Sequence, residues 1–250
     1  MHDSGLLSYN SRSPLTRPAP PKIMPRISIV LPVLNEETQI ARCLQDLQTL
    51  RGLDCELIVV DGGSNDRTVA LAEPLADQIL AGPRGRATQM NAGARRANGE
   101  ILWFLHADST PPSDAPERIR AALAHPRRQW GRFDVRLSGG HPFLRVVETL
   151  MNLRARLTGI VTGDQGIFVR REAFEQVDGF PTIPLMEDIA LSRRLRRRGW
   201  PVRLPQRLQT SSRRWERDGI LRTVLLMWRL RLAYFLGADP ARLVRIYYRS

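Results

Sequence analysis

The sequence predicts an α/β fold in which a mostly parallel mixed sheet is flanked by helices and followed by a C-terminal helical appendage. Two observations favour this class. From Arg26 onward, short runs rich in β-branched and aliphatic residues alternate with segments whose apolar residues recur at helical spacing. The chain has 250 residues and is 42% hydrophobic, which is enough for one sizeable domain with a buried core.

We expect three segments along the chain. Residues 1–24 contain four prolines and no long apolar run, so they are predicted to be a disordered tail without a secretory signal. Met24 directly precedes the first predicted strand and is an alternative start of translation. Residues 25–205 are predicted to form the main domain, and residues 206–250 a helical extension packed on it.

The charge and the cysteine content limit the class of protein. A formal net charge of +13 suits nucleic acid, an anionic membrane surface or a phosphorylated substrate, and does not choose among them. Two cysteines and four histidines are too few for a disulfide framework or a zinc site. We therefore expect a reduced, cytoplasmic protein, with peripheral contact at the inner face of the cell membrane left open.

Four strand-like runs define the first part of the predicted sheet. They are ISIVLPV (27–33), CELIVVD (55–61), QILAG (78–82) and ILWFL (101–105). Helices are predicted between them over 36–50, from Ser64 or Asp66 to about Ala76, and over 87–97. The first of these helices has apolar residues on one face, at Ile40, Cys43, Leu44 and Leu47.

The second half of the chain is predicted from weaker patterns. They indicate helices over 113–124 and 142–157, a strand over 133–137, a loop at 163–166 before another strand, and a helix from Glu187 to the arginine run at 193–198. The segment 220–236 is apolar but carries three arginines, so it is too short and too charged to span a bilayer. Its apolar stripe is expected to be broken, because Arg231 points away from Arg222 and Arg229. Packing on the domain is predicted, with peripheral membrane contact as the alternative.

Two aspartates follow apolar strands. Asp61 ends the second run and Asp108 lies just past the fourth. Open α/β sheets place their ligand crevice at the carboxyl ends of the strands, so the two carboxylates could share one site. The alternative is that each of them caps a turn or the following helix.

Several motifs, in order and in register, resemble family 2 glycosyltransferases of the GT-A fold. They are SIVLPVLNEE, ELIVVDGGSNDRT, FLHADST, GDQGIFVRREAFEQVDGF and PLMEDIALSRRLRRRG, within roughly 27–200. GRATQMNAGA, the HAD variant and SSRRWERDG resemble one bacterial subgroup. The resemblance implies that 25–205 is a Rossmann-like GT-A domain that binds a nucleotide-sugar donor.

The resemblance also assigns the donor site. Asp61 would contact the base and ribose, and Pro32, Asn35 and Glu36 would line the same end of the nucleotide pocket. Arg84 and Arg86 precede a predicted helix and could contact the diphosphate, or could form a solvated basic loop.

The Asp-x-Asp motif of the family holds Mg²⁺ or Mn²⁺ against the diphosphate, and here it reads His106-Ala107-Asp108. The first of the two acids is therefore missing. Asp108 alone is chemically adequate, because Mg²⁺ often uses one or two carboxylates when phosphates and waters complete its octahedron. His106 either adds a nitrogen ligand for Mn²⁺ or packs beside the site.

The remaining site residues are also implied by resemblance. Glu187 and Asp188 would supply the catalytic base, with Asp188 preferred, although acids at a helix start also suit the helix dipole. Acceptor contacts are expected from Asp164, Gln165, Arg214 and Trp215. SSRRWERDG resembles the Gln-x-x-Arg-Trp element of processive members, but Ser211 replaces the Gln, which argues against processivity.

The predicted activity is metal-dependent, inverting transfer of a hexose from a nucleoside-diphosphate sugar, UDP being favoured, to an acceptor hydroxyl or carboxyl. A small molecule, a lipid or a carotenoid-like compound would serve as acceptor. One alternative is a catalytically silent sugar-nucleotide-binding protein, favoured by the missing acid. A nucleic-acid binder is not expected, because the chain lacks a recognition-helix motif and an aromatic stacking platform.

Overall fold

The computed structural model describes residues 27–249, with side chains through 247. The predicted tail, 1–24, lies outside the described residues. The strands are β1 (Ile27–Val33), β2 (Cys55–Asp61), β3 (Gln78–Ala81), β4 (Ile101–Phe104), β5 (Ser109–Thr110), β6 (Trp130–Leu137), β7 (Phe168–Arg170) and β8 (Val202–Thr210). The helices are α1 (Ile40–Arg51), α2 (Thr68–Ala72), α3 (Arg86–Arg96), α4 (Ala115–Leu123), α5 (Pro142–Thr158), α6 (Arg171–Glu175), α7 (Glu187–Arg196), α8 (Arg213–Asp218), α9 (Ile220–Phe235) and α10 (Pro240–Arg249), with a 3₁₀ turn at Gly163–Gln165.

These strands form one mixed sheet in the order β3-β2-β1-β4-β7-β6-β8-β5. β1 pairs in parallel with β2 on one side and with β4 on the other, and β2 pairs in parallel with β3. β7 runs antiparallel to both β4 and β6. The predicted mostly parallel sheet is therefore confirmed, and the carboxyl ends of β1, β2 and β4 meet at one edge.

Apolar residues cover both faces of the sheet. Along β1, Ile29 and Leu31 pack into the cluster under α1 and α4, whereas Val30 packs with residues of α3 on the opposite face. Successive strand side chains point to opposite faces, so a strand buried on both sides reads as a continuous apolar run. This burial explains why β1, β2 and β4 are predicted well from sequence.

Some boundaries differ from the sequence prediction. α1 begins at Ile40 instead of 36, because Asn35 has φ 53° and the Glu36 amide donates to Thr68 Oγ1 across two loops. α2 is shorter than predicted and ends at Ala72. β8 runs through residue 205, so the C-terminal helices begin later than predicted, at Arg213.

The C-terminal helices pack on the main domain. Leu230 of α9 and Leu243 of α10 are buried against Ile160 and against Met186 and Ile189 at the start of α7. Within residues 27–249, no helix combines the length and the apolar character needed to cross a membrane.

Candidate active site

Two loops are tied together at the carboxyl ends of β1 and β2. The Asp61 carboxylate accepts hydrogen bonds from the amides of Gly63 and Ser64 at 3.0 and 3.1 Å, and from Ser64 Oγ at 2.5 Å. Ser64 Oγ in turn accepts from the Asn35 amide at 2.9 Å, and Asn35 Oδ1 accepts from the Asn65 amide at 2.9 Å. Asp61 therefore caps its turn, as one sequence interpretation predicts, and this capping fixes the loops that line the crevice.

Gln89 is a positioning residue that the sequence left unassigned. Its Nε2 donates to the carbonyls of Val33 and Val60, both at 2.8 Å, and so links the carboxyl-terminal ends of β1 and β2 to α3. Gly62 lies against the same amide, since a Cβ at that position would be 3.0 Å from Gln89 Nε2. The feature that could have revealed this role is that Gln89 is a polar residue among the otherwise apolar or small buried residues of α3, directly before Met90.

We expect Gln89→Leu to lower the free energy of unfolding by about 2 kcal/mol, because it removes a buried amide that donates to two buried carbonyls. Urea denaturation of the whole chain measures the change. Gln176→Leu, the same substitution at an exposed glutamine, is the matched control and should change stability little. Equal losses in the two variants would contradict the positioning role.

A cavity of about 230 Å³ lies beyond the carboxyl end of β4, between the 163–165 turn, the start of α7 and the C-terminal helices. We call it the central cavity. It brings together residues that the sequence assigns to separate roles, namely Arg86, His106, Asp108, Asp164, Glu187, Asp188, Arg214 and Trp215. The predicted base, the metal residues and most of the acceptor residues therefore share one space.

Asp188 is held at the edge of this cavity by two backbone amides. Its Oδ2 accepts from Gly163 N at 2.9 Å, and its Oδ1 accepts from Ile189 N at 2.7 Å. Gly163 also touches the His106 ring, because a Cβ at 163 would lie 2.5 Å from His106 Nε2. The 163–165 turn is thus fixed between the His106 ring and the Asp188 carboxylate.

Glu187 is paired, whereas Asp188 faces the cavity. The Glu187 side chain is only 4% exposed, and its Oε1 lies 3.4 Å from Arg86 Nη1. Burial raises the pKa of Glu187, and the Arg86 charge opposes that rise. Partial desolvation beside the cavity lowers the pKa of Arg86, whose side chain is still 42% exposed, but attraction from Glu187 and the other acids outweighs this effect, so the net pKa is raised. Arg86 therefore remains a cation.

His106 and Asp164 form a second pair, with 3.6 Å between Nδ1 and Oδ1. Burial lowers the pKa of His106, but attraction to the Asp164 carboxylate raises it, and the net pKa lies above the usual value. Burial raises the pKa of Asp108, and its charged neighbour Asp164 adds to that effect. Asp108 also accepts a long hydrogen bond from Thr210 Oγ1, at 3.5 Å.

The donor set fits a metal that is shared with a ligand. In the described part of the chain, no group of three or more His, Cys, Asp and Glu side chains is arranged to hold a metal ion. Asp108 offers one carboxylate and His106 one ring nitrogen, and a weakly hydrogen-bonded, half-buried carboxylate gains from a cation. Phosphate oxygens and waters would complete the coordination.

Six of the predicted site residues do not line the central cavity. Pro32, Asn35, Glu36 and Asp61 belong to the ends of β1 and β2 and to the loops that follow them. Gln165 and Arg84 are the other two. Gln165 is fully buried, and its amide bonds Thr162 N and Asn152 Oδ1, both at 3.3 Å, so its role is to hold the turn. The expected acceptor contact from Gln165 is thus corrected. Arg84 is exposed and does not line the central cavity. Sequence patterns alone do not show that Gln165 and Arg84 lie away from the cavity, because both residues belong to polar loops.

Arg214 lines the cavity but is also structural. Its guanidinium lies 3.7 Å from the centroid of the Tyr247 ring and donates to the Tyr247 carbonyl at 3.1 Å. It thereby fastens α10 over the site, next to Trp215 of α8.

A parallel half-sheet with loops and carboxylates at the ends of β1, β2 and β4 defines the class, a GT-A fold with a crevice for a nucleotide-linked ligand. A family model described as Glycosyl transferase family 2 matches residues 28–177. The chain belongs to this family.

Two relatives of known name have almost the same sequence identity to this chain. The chain is 26% identical over 201 residues to beta-monoglucosyldiacylglycerol synthase of a Synechocystis strain, covering 71% of this chain and 42% of the relative. It is 25% identical over 194 residues to poly-beta-1,6-N-acetyl-D-glucosamine synthase of Staphylococcus aureus, covering 71% of this chain and 47% of the relative. The chain therefore spans less than half the length of these relatives.

Solved structures agree on the fold. A mannosyltransferase from Pyrobaculum calidifontis, in complex with GDP-Man and Mn²⁺, has a TM-score of 0.66 at 23% identity, covering 89% of this chain and 65% of that chain. Glucosyl-3-phosphoglycerate synthase from Mycobacterium tuberculosis, in complex with Mn²⁺, UDP and glucosyl-3-phosphoglycerate, has a TM-score of 0.55 at 24% identity, covering 74% of this chain and 70% of that chain. These likenesses show the GT-A fold.

Proposed function

We propose that the chain transfers a sugar from a nucleoside-diphosphate sugar to an acceptor hydroxyl or carboxyl, with inversion at the anomeric carbon. One observation carries this proposal. The central cavity holds Arg86, which suits a diphosphate, and Asp108, which suits a divalent cation bound to that diphosphate, together with Asp188, which suits an acceptor proton. Family membership and the transferase names of the relatives support it.

Asp188 is the proposed general base. In an inverting displacement, a carboxylate removes the proton from the acceptor hydroxyl as the oxygen attacks the sugar from the face opposite the leaving diphosphate. Glu187 is engaged by Arg86, whereas the neighbouring Asp188 forms no ion pair with an arginine among the described residues. The amides of Gly163 and Ile189 fix its orientation, and each oxygen keeps a lone pair for the acceptor.

The donor would lie across the carboxyl ends of the strands. Asp61, Asn35, Glu36 and Pro32 would line the nucleoside end, and Glu36 lies close enough to Asp108 that each charge disfavours the other. Arg86 would contact the diphosphate. Mg²⁺ or Mn²⁺, held by Asp108 with His106 beside it, would neutralise charge on the leaving group. Fold neighbours crystallised with either metal and with UDP support this choice of metal and nucleotide.

A catalytically silent sugar-nucleotide-binding protein is the second candidate. The histidine in place of the first metal acid favours it, because only one carboxylate of the Asp-x-Asp motif is left. It predicts donor binding with no turnover.

A thermal-shift screen with and without Mn²⁺ tests the donor side. We expect UDP and UDP-sugars to raise the melting temperature of the whole chain only when the metal is present, because metal and diphosphate complete one another's coordination. GDP-mannose is included as a comparison, and a larger thermal shift with GDP-mannose than with UDP-sugars would contradict the choice of UDP. Absence of stabilisation by every nucleotide, with and without metal, would contradict the proposed function.

A further inference from the structure

Two long helices expose apolar stripes beside the central cavity. The exposed large apolar residues of α5 are Phe143, Val146, Leu150, Leu153 and Leu157, and those of α9 are Leu221, Leu225, Trp228, Leu232 and Phe235. Both sets recur every three or four residues, so each forms one continuous face. The sequence prediction that the stripe of 220–236 is broken is therefore wrong, because the arginines of α9 flank the stripe without interrupting it.

Two clefts border these helices. A cleft of about 350 Å³ lies between α5 and α9 and is lined by Leu150, Leu153 and Trp228. A larger cleft of about 760 Å³ continues along α9 and is lined by Leu225, Leu232 and other apolar residues. Hydrocarbon chains gain free energy from leaving water for such surfaces.

Two guanidinium groups lie where the clefts meet. Arg154 and Arg231 line both clefts. Arg154 Nε and Nη2 are buried and have no hydrogen-bond partner among the residues that the structure describes. Burial and the nearby Arg231 charge lower the pKa of Arg154 to about 10, and burial also lowers the pKa of Arg231. Two like charges drawn partly out of water, with no carboxylate in salt-bridge contact among the described residues, are stabilised by a bound anion.

The clefts are continuous with the central cavity. Arg231 lines all three spaces, and Asp164, Trp215 and Met227 line both the smaller cleft and the central cavity. A molecule that lies between α5 and α9 would therefore place its polar end among the residues around Asp188. The charge of Arg231 also lies close enough to Asp188 and Asp164 that those carboxylates favour its cationic form.

We propose that the acceptor is an anionic lipid, whose hydrocarbon chain lies between α5 and α9 and whose phosphate or carboxylate binds Arg154 and Arg231. This inference rests on the proposed transferase function and names its acceptor class. Charge-assisted bonds from a planar guanidinium suit both anions. The exposed stripes would rest on an anionic bilayer, which places the enzyme peripherally at the inner face of the membrane.

Binding of octyl phosphate, below its micellar concentration, tests the site through the fluorescence of Trp215 and Trp228. Arg154→Gln combined with Arg231→Gln should weaken binding about tenfold or more, because both charge-assisted contacts are lost. Arg127→Gln combined with Arg128→Gln removes the same charge from an exposed loop and should bind like the wild type. Inorganic phosphate should bind far more weakly than octyl phosphate, because it lacks the chain.

Two further readouts separate the site from its alternatives. Removing the Arg154 and Arg231 charges should leave the melting temperature equal or higher, because it relieves repulsion, and should leave the UDP-dependent thermal shift unchanged. Sedimentation of the whole chain should be stronger with phosphatidylglycerol vesicles than with phosphatidylcholine vesicles, and the double Arg154 and Arg231 variant should lose that preference.

Several results would overturn the inference. Equal octyl phosphate binding by wild type and double variant would do so, as would equal affinity for inorganic phosphate, which indicates a soluble phosphorylated ligand. So would a dimer that buries the α5 and α9 stripes, or octyl phosphate binding that appears only after residues 1–24 are removed. Absence of the UDP-dependent thermal shift would instead contradict the proposed transferase function. That measurement does not involve the lipid, so the two failures can be told apart.

Discussion

Asp188→Asn is expected to slow sugar transfer by about 10²–10⁴-fold, because an amide does not accept the acceptor proton as the new bond forms. The substitution preserves the shape of the side chain and keeps one oxygen that accepts from a backbone amide, so the start of α7 should remain in place. Nucleotide affinity should not change. The measurement is release of nucleoside diphosphate with a sugar nucleotide and phosphatidylglycerol vesicles, beside a nucleotide thermal shift.

Asp178→Asn is the matched control for this experiment. Asp178 is exposed, and its φ of 57° is one that asparagine accepts readily. The control should release nucleoside diphosphate at the wild-type rate. Unchanged turnover in Asp188→Asn would assign the base elsewhere, and a parallel loss of nucleotide binding would indicate a structural role for Asp188.

Asp108→Asn is expected to remove the metal-dependent part of nucleotide binding. Asp108 is the one carboxylate of its motif, and burial already raises its pKa, so the cation and the carboxylate stabilise each other. The thermal shift produced by UDP with Mn²⁺ should fall to the value without metal. In Asp178→Asn the increment due to Mn²⁺ should persist.

The same experiment discriminates between two arrangements of the metal. A full Mn²⁺ increment in Asp108→Asn would place the metal on other groups, and would sink the assignment of Asp108. Loss of the increment, with the melting temperature of the ligand-free chain unchanged, agrees with a metal shared between Asp108 and the diphosphate.

The sheet is largely predictable from sequence, because strands buried on both faces appear as continuous apolar runs. β1, β2 and β4, with Asp61 and Asp108 at or just past their ends, follow from that pattern together with the position of crevices in open sheets. The start of α1 is not predictable in this way. Hydrogen bonds from the loop after β2 override a helical spacing that would begin at 36.

Parts of the site also depend on tertiary packing. Gln89 and Gln165 are both glutamines in segments rich in polar residues, and the sequence does not tell their roles apart. In the structure Gln89 links two strand ends, whereas Gln165 holds a turn. Arg154 and Arg231 come from α5 and α9, which are distant in the chain, so no local pattern pairs them. By contrast, Asp188 and Glu187 come from one motif, and their tertiary contacts distinguish them, because Glu187 pairs with Arg86 whereas Asp188 accepts from the Gly163 and Ile189 amides.

The anomeric configuration of the product tests the central claim most directly. The whole chain, Mn²⁺ and the sugar nucleotide that stabilises it would be incubated with phosphatidylglycerol vesicles, and the glycosylated product analysed by proton nuclear magnetic resonance. A single displacement assisted by Asp188 predicts a β-linked product from an α-linked donor. A product that retains the α configuration, or a bound donor that yields no product, would contradict this account.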